Sequence, residues 1–123
     1  MNEMSLELED GRTSFRPSEQ VAGTVMWVSD EAPRRIRVEL LWSTGGKGTV
    51  DEKVVDFLEI PSPPARGNAA FRLQLPDQPW TFSGKLVSVI WAVRAVAEPG
   101  EAQVYTEIIV SPTGREIDLT APP

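Results

Sequence analysis

Apolar side chains recur along this chain at every second position, in short runs separated by clusters of Gly, Pro, Ser and Asp. Met4, Leu6 and Leu8 alternate with Ser5 and Glu7. Val21, Gly23, Val25 and Trp27 alternate with a second set that includes Met26 and Val28. Ile36, Val38, Leu40 and Trp42 alternate with Arg37 and Glu39, which together with Arg35 are expected to face water. Val50, Val54, Leu58 and Ile60 are expected on one face of a further strand, with Val55 and Phe57 on the other. Ala69, Phe71, Leu73 and Leu75 form a clean alternation ended by Pro76, and Val104, Thr106, Ile108 and Val110 form another, with Tyr105 and Ile109 opposite. A period of two sends successive side chains to opposite faces, so each run predicts a β-strand. Ile117 and Leu119 are expected to add a short closing strand.

The longest apolar run, Leu86 to Val96, is apolar on both faces and rich in valine, with Trp91 at its centre. Branched and aromatic side chains pack well on a pleated surface, and a strand apolar on both faces belongs inside a sheet. The intervening segments predict connections. Glu9-Asp10-Gly11, Ser29 to Pro33, Glu98 to Glu101 and Ser111 to Gly114 are turn signals, and Pro17 kinks the segment Ser14 to Glu19. Ser43 to Gly48 is expected as a flexible loop, and Pro61 to Gly67 as a surface connection. No helical period persists beyond two turns. The pattern predicts an all-β fold, an immunoglobulin-like β-sandwich of about seven to eight antiparallel strands, with residues 1–123 as one domain.

Composition narrows the chemistry. Among the 123 residues there is no cysteine and no histidine. Disulfides, thiolate nucleophiles, Ser–His and Cys–His catalysis and His-ligated zinc are therefore all excluded. The formal net charge of -6 disfavours nucleic acid, whose binding requires a basic patch to displace counterions. Arg34, Arg35 and Arg37 are the only clustered cations, and they read as a solvated strand edge. The acidic amino-terminal stretch lacks the features of a signal peptide, and Leu86–Val96 is too short to span a bilayer. The expectation is a cytoplasmic protein with no membrane span.

Three features could carry chemistry. Asp51, Glu52, Asp56 and Glu59 could pair as carboxylates for glycoside hydrolysis or a divalent cation. In a regular strand, however, Glu52 and Asp56 share one face while Asp51 and Glu59 share the other, so a solvated strand face is the better reading. Thr44-Gly45-Gly46-Lys47-Gly48-Thr49 lacks the spacing and the following helix of a phosphate-binding loop. Of the four tryptophans, Trp27, Trp42 and Trp91 fall in phase with apolar faces and predict core, whereas Trp80 lies among turn residues. Trp80, with Phe82 beside it, is the candidate partner contact, because exposed aromatics dominate binding energy.

The run Phe15-Arg16-Pro17-Ser18-Glu19-Gln20-Val21-Ala22-Gly23-Thr24-Val25 resembles the early "Y/F-x-P-G-E-x-V-x-G-x-V" motif of the arrestin family. Val38 to Gly48 is similar to the strand and loop that follow it there. Phe71-Arg72-Leu73-Gln74-Leu75-Pro76 and Pro79-Trp80-Thr81-Phe82-Ser83-Gly84 resemble the family's "F-x-F-x-L-P … P-x-S-F/Y-x-G". These pieces occur in the family's order from Phe15 to Val96. The resemblance implies an arrestin-like sandwich acting as a non-catalytic scaffold or adaptor, with a protein partner and without a cofactor or metal. Arrestins and the related retromer-type and sporulation-control proteins carry two such sandwiches, and this chain has length for one, which leaves room for self-association. Ser18 replaces the family's glycine, and the first strand is acidic where receptor-binding arrestins are basic, so phosphate sensing does not carry over. A carbohydrate-binding module using exposed tryptophan is the alternative, and an acid-dependent hydrolase or lyase stands behind both.

Overall fold

The computed structural model describes residues 3–46, 51–84, 87–99, 102–113 and 117–118. Ten strands lie within them: β1 (Glu3–Leu8), β2 (Ser14–Phe15), β3 (Gln20–Val28), β4 (Arg35–Gly46), β5 (Asp51–Pro61), β6 (Arg66–Gln74), β7 (Phe82–Ser83), β8 (Val87–Glu98), β9 (Gln103–Val110) and β10 (Ile117–Asp118). A smaller sheet runs β1-β3-β6, antiparallel throughout. A larger sheet runs β10-β7-β8-β4-β5, and β9 pairs with β8 beside β7. Two short pairings, β2 with β9 and β10 with β7, are parallel, a departure from the all-antiparallel expectation.

The alternating positions meet between the two sheets. Val21, Val25, Trp27, Phe71 and Leu73 project from the smaller sheet onto Ile36, Val38, Leu40, Val93, Ile108 and Val110 of the larger one. The apolar run identified in the sequence forms β8 from Val87 onward (Leu86 lies outside the described residues), hydrogen-bonded to β4 along its whole length and to β7 and β9 on its other side. Its odd positions Val89, Trp91, Val93 and Ala95 are all buried. Both buried indole N–H groups find carbonyls in the proline-rich connections: Trp27 Nε1 donates to Pro64 O at 2.8 Å, and Trp91 Nε1 donates to Pro79 O at 2.9 Å. Those connections thus satisfy donors that would otherwise be costly to bury.

Several expectations are corrected. Ser43 to Gly46 continue β4 against β8 instead of opening a loop, because the ladder runs on through the glycines to Gly46 opposite Val87. Lys47 to Val50, and with them the rest of the glycine-rich loop, lie outside the described residues. At the other boundary, Pro61 ends β5 and Arg66 and Gly67 open β6. Gly67 is strand because it pairs with Trp27 in the β3–β6 ladder, and it must stay small there, since a Cβ would come within 2.9 Å of Trp27 Cζ2. A bulge opposite Leu40/Leu41 inserts Val55 into β5. It reverses the faces of the residues before it, so Val54 lies with Phe57 and not with Leu58 and Ile60. Glu39 does not face water freely; it is 8% exposed. Gly100, Glu101, Gly114 and Leu119, which complete expected turns and the closing strand, lie outside the described residues, as does the tail.

Candidate functional site

The loop between β6 and β7 carries the predicted contact residues. Trp80 is 37% exposed, and its indole N–H donates to Asp77 O at 2.8 Å, which ties the ring to its own loop. Asp77 in turn accepts from the Ser18 hydroxyl of the neighbouring turn. Thr81 is buried and anchors the segment to β9: its N–H donates to Val110 O, and its hydroxyl accepts from the Val110 N–H at 2.9 Å. Phe82 is half-buried and packs against the core. The structure therefore separates the pair, with Trp80 offering surface while Phe82 is engaged in packing. Phe57 and Tyr105, each 49% exposed, are the larger exposed aromatics, and the alternation of their strands placed both opposite the core-facing set.

Phe57 and Tyr105 lie on the outward face of the larger sheet, which is laced with ion pairs. Arg94 Nε donates to Glu39 at 2.8 Å and its Nη1 donates to Glu52. Arg37 bridges Glu39 at 3.0 Å and Glu59 at 3.1 Å, and its guanidinium lies 3.8 Å over the Phe57 ring. Arg35 reaches Glu98 at 2.7 Å and Glu59 at 3.6 Å. Partial burial works against the charge on Arg94, but the hydrogen bonds it donates to Glu39 and Glu52 outweigh it and hold its pKa above the ordinary arginine value. Tyr105 is held above the usual phenol value by burial first, then by Glu107 and Glu52.

This mesh decides the carboxylate question. The bulge at Val55 places Glu52 and Glu59 on one face and Asp51 and Asp56 on the other, which corrects the regular-strand assignment. The carboxylates still do not converge. Glu52 takes Arg94, Glu59 takes Arg35 and Arg37, and Asp56 accepts from the backbone N–H groups of Phe57 and Gln74, both at 2.9 Å. Among the described residues no group of three carboxylates is placed to hold a metal ion.

The outward face of the smaller sheet is different. Small and flexible side chains occupy its middle: Ala22, Thr24 and Met26 of β3, Ala70 of β6 and Ser5 of β1. Glu3 and Glu7 project along the β1 side, and Arg66, Asn68 and Arg72 along the β6 side. Arg72 donates to Gln20 at 2.9 Å, but none of Glu3, Glu7, Arg66 and Arg72 forms an ion pair with another described residue. Two open hollows adjoin this face and reach round to the larger sheet, the first at Gln103 and the second at Leu58. One, of about 590 Å³, is lined by Glu3, Met26 and Arg66 among others; the other, of about 580 Å³, by Glu7, Thr24 and Arg72. Sequence reasoning missed this surface, because its charges align only once the strand register is known.

No protein-family model matches the chain, and no curated protein matches it. Among solved structures it is similar to the sporulation control protein Spo0M from Bacillus subtilis, at 20% identity and a TM-score of 0.64. The match covers 89% of this chain and 49% of that one, so the chain spans about half the length of its structural neighbour. The likeness establishes the fold: an all-β, arrestin-like sandwich. No helix among the described residues is long and apolar enough to cross a membrane.

Proposed function

We propose that this chain is a non-catalytic protein-interaction domain, a scaffold or adaptor on an arrestin-like sandwich. The observation that carries the reading is the disposition of its charged groups. Of the acids that could have done hydrolytic work, Glu52 and Glu59 are bound to arginines and Asp56 to backbone amides. The two hollows beside the smaller sheet are open to solvent, unlike the enclosed, mostly apolar pockets that usually hold a small-molecule substrate. The fold shared with Spo0M, a protein named for sporulation control, supports a regulatory and not an enzymatic role. We place this domain, residues 1–123, in the cytoplasm, a reading with which the cysteine-free sequence agrees.

Trp80 is the proposed anchor for a protein partner, with Phe82 bracing the loop from beneath. Its ring is partly exposed and already oriented by the bond to Asp77, so little rotamer freedom is lost on binding. Affinity capture of the tagged protein from its native lysate, beside Trp80→Ala, tests this reading. One enriched protein, lost with the variant, is the expected result. Equal capture by both would move the contact away from this loop, and a blank for both would remove the case for a stable protein partner. Three of the four tryptophans pack in or against the core, so no row of exposed indoles supports carbohydrate binding.

A further inference from the structure

We infer that the outward face of the smaller sheet is a self-association surface, and that its occupant is a second copy of this chain. The inference rests on the interaction-domain reading and names a partner for a different part of the molecule.

Glu3 stands opposite Val28, and Val28 opposite Arg66, so these three lie in one line across the sheet. Glu7, Thr24 and Ala70 form a second line, with Arg72 two residues along β6. The acids therefore follow one edge and the arginines the other, with small side chains between. A two-fold axis along β3 would lay β1 of each copy over β6 of the other. Glu3 then faces Arg66 of the second copy, Glu7 approaches Arg72 of the second copy, and Met26 meets its equivalent. A two-fold axis across the strands would instead set β1 on β1, acid against acid. Charge thus selects one arrangement, and in it the strands of the two sheets run nearly aligned, as in ordinary face-to-face sheet packing.

The centre suits the arrangement. Ala22, Thr24 and Ala70 allow close approach, Met26 is exposed and adaptable, and the hollows at the two ends give room for long rim side chains. The contrast with the larger sheet supports the choice, because there each arginine is already neutralised within its own face. Three strands of this length present on the order of 400 Å² of flat area. That is below the roughly 800 Å² per partner of a stable complex, so the association is weak and populated only at high protein concentration.

Sedimentation equilibrium on the full chain tests the proposal, using wild type, Glu3→Arg/Glu7→Arg, Arg66→Glu/Arg72→Glu and an equimolar mixture of the two variants. All four residues are exposed, and far-UV circular dichroism with thermal melting verifies that each variant is folded. Wild type is expected to dimerise at high concentration and to weaken about tenfold on raising salt from 0.05 to about 0.5 M. Each variant alone is expected to be monomeric, and the mixture to dimerise. Glu3→Arg/Glu7→Arg lowers the net charge from -6 to -2, so general repulsion would make that variant associate more, whereas the rim pairing makes it associate less. A monomeric wild type, variants that dimerise like wild type, or a mixture that stays monomeric would overturn the inference. None of these results depends on the Trp80 capture, so the two readings fail separately.

Discussion

Ser18 adopts a backbone φ of +69°, the left-handed region that disfavours side chains with a Cβ. It occupies the position where the arrestin-like motif carries glycine, which gives that glycine a physical reason. The turn tolerates serine because its N–H donates to Pro76 O, its carbonyl accepts from Gln74 Nε2, and its hydroxyl reaches Asp77. A β-branched residue has no such compensation: Ser18→Val is expected to cost about 1–3 kcal/mol in urea denaturation, with Ser18→Gly within about 0.5 kcal/mol of wild type. The next residue contributes electrostatically. Glu19 accepts from the Arg16 backbone N–H at 2.7 Å and pairs with Arg12 at 3.2 Å, and the backbone bond first, then Arg12, holds its carboxyl below the ordinary value of 4.5. A carboxyl lowered in the folded state stabilises the fold above the unfolded pKa, and that stability is lost as pH falls through the folded value. Glu19→Gln is therefore expected to cost about 0.5 kcal/mol at pH 7, after discounting for exposure, and nothing once Glu19 is protonated at low pH. Equal costs at both pH values would contradict this. Gly23, three residues into β3, was legible in the motif as a point of close backbone approach, and the structure names its neighbours. A Cβ there would overlap the Glu7 carbonyl oxygen and come within 2.8 Å of Phe71 Cζ, so Gly23→Ala is expected to destabilise by roughly 1–3 kcal/mol.

At the scale of strands, alternation placed the core correctly because each sheet has one buried face and a period of two is unambiguous there. Trp27, Trp91, Val38 and Leu73 all lie where their phase put them. The misreadings share a cause: they concern features set by a neighbouring strand. Ser43 to Gly46 look like a loop locally, yet β8 supplies a ladder that outweighs the glycine cost. Nothing in Asp51 to Pro61 announces the bulge at Val55, which changes the faces of Glu52 and Val54. Glu39 alternates with apolar residues like any solvent-facing position, and only the pairing of β4 with β8 reveals Arg94 beside it. Its carboxylate is flanked by two arginines and largely shielded, so Glu39→Gln should leave both partly unpaired. A loss of about 1–2 kcal/mol is expected in denaturant titrations, with little effect from added salt because the pair is shielded. A loss that disappears at high salt would assign Glu39 to ordinary surface electrostatics.

For the whole molecule, the two outward faces divide the charge differently. The larger sheet interleaves opposite signs from strand to strand, so its face is neutralised from within and braced by Arg37 over Phe57. The smaller sheet segregates them, acids on β1 and arginines on β6, and leaves the pairing to another molecule. Glu3, Glu7, Arg66 and Arg72 were visible in the sequence as exposed strand positions. Their alignment was not, since it depends on a register that passes through β3. The most direct measurement is a dilution series of amide proton–nitrogen correlation spectra, from about 1 mM down to about 20 µM. Concentration-dependent shifts confined to the outward positions of β1, β3 and β6 are predicted, with Met26 and Arg66 among the largest. Spectra that do not change on dilution, or shifts centred instead on Phe57 and Tyr105, would contradict the assignment of self-association to the smaller sheet.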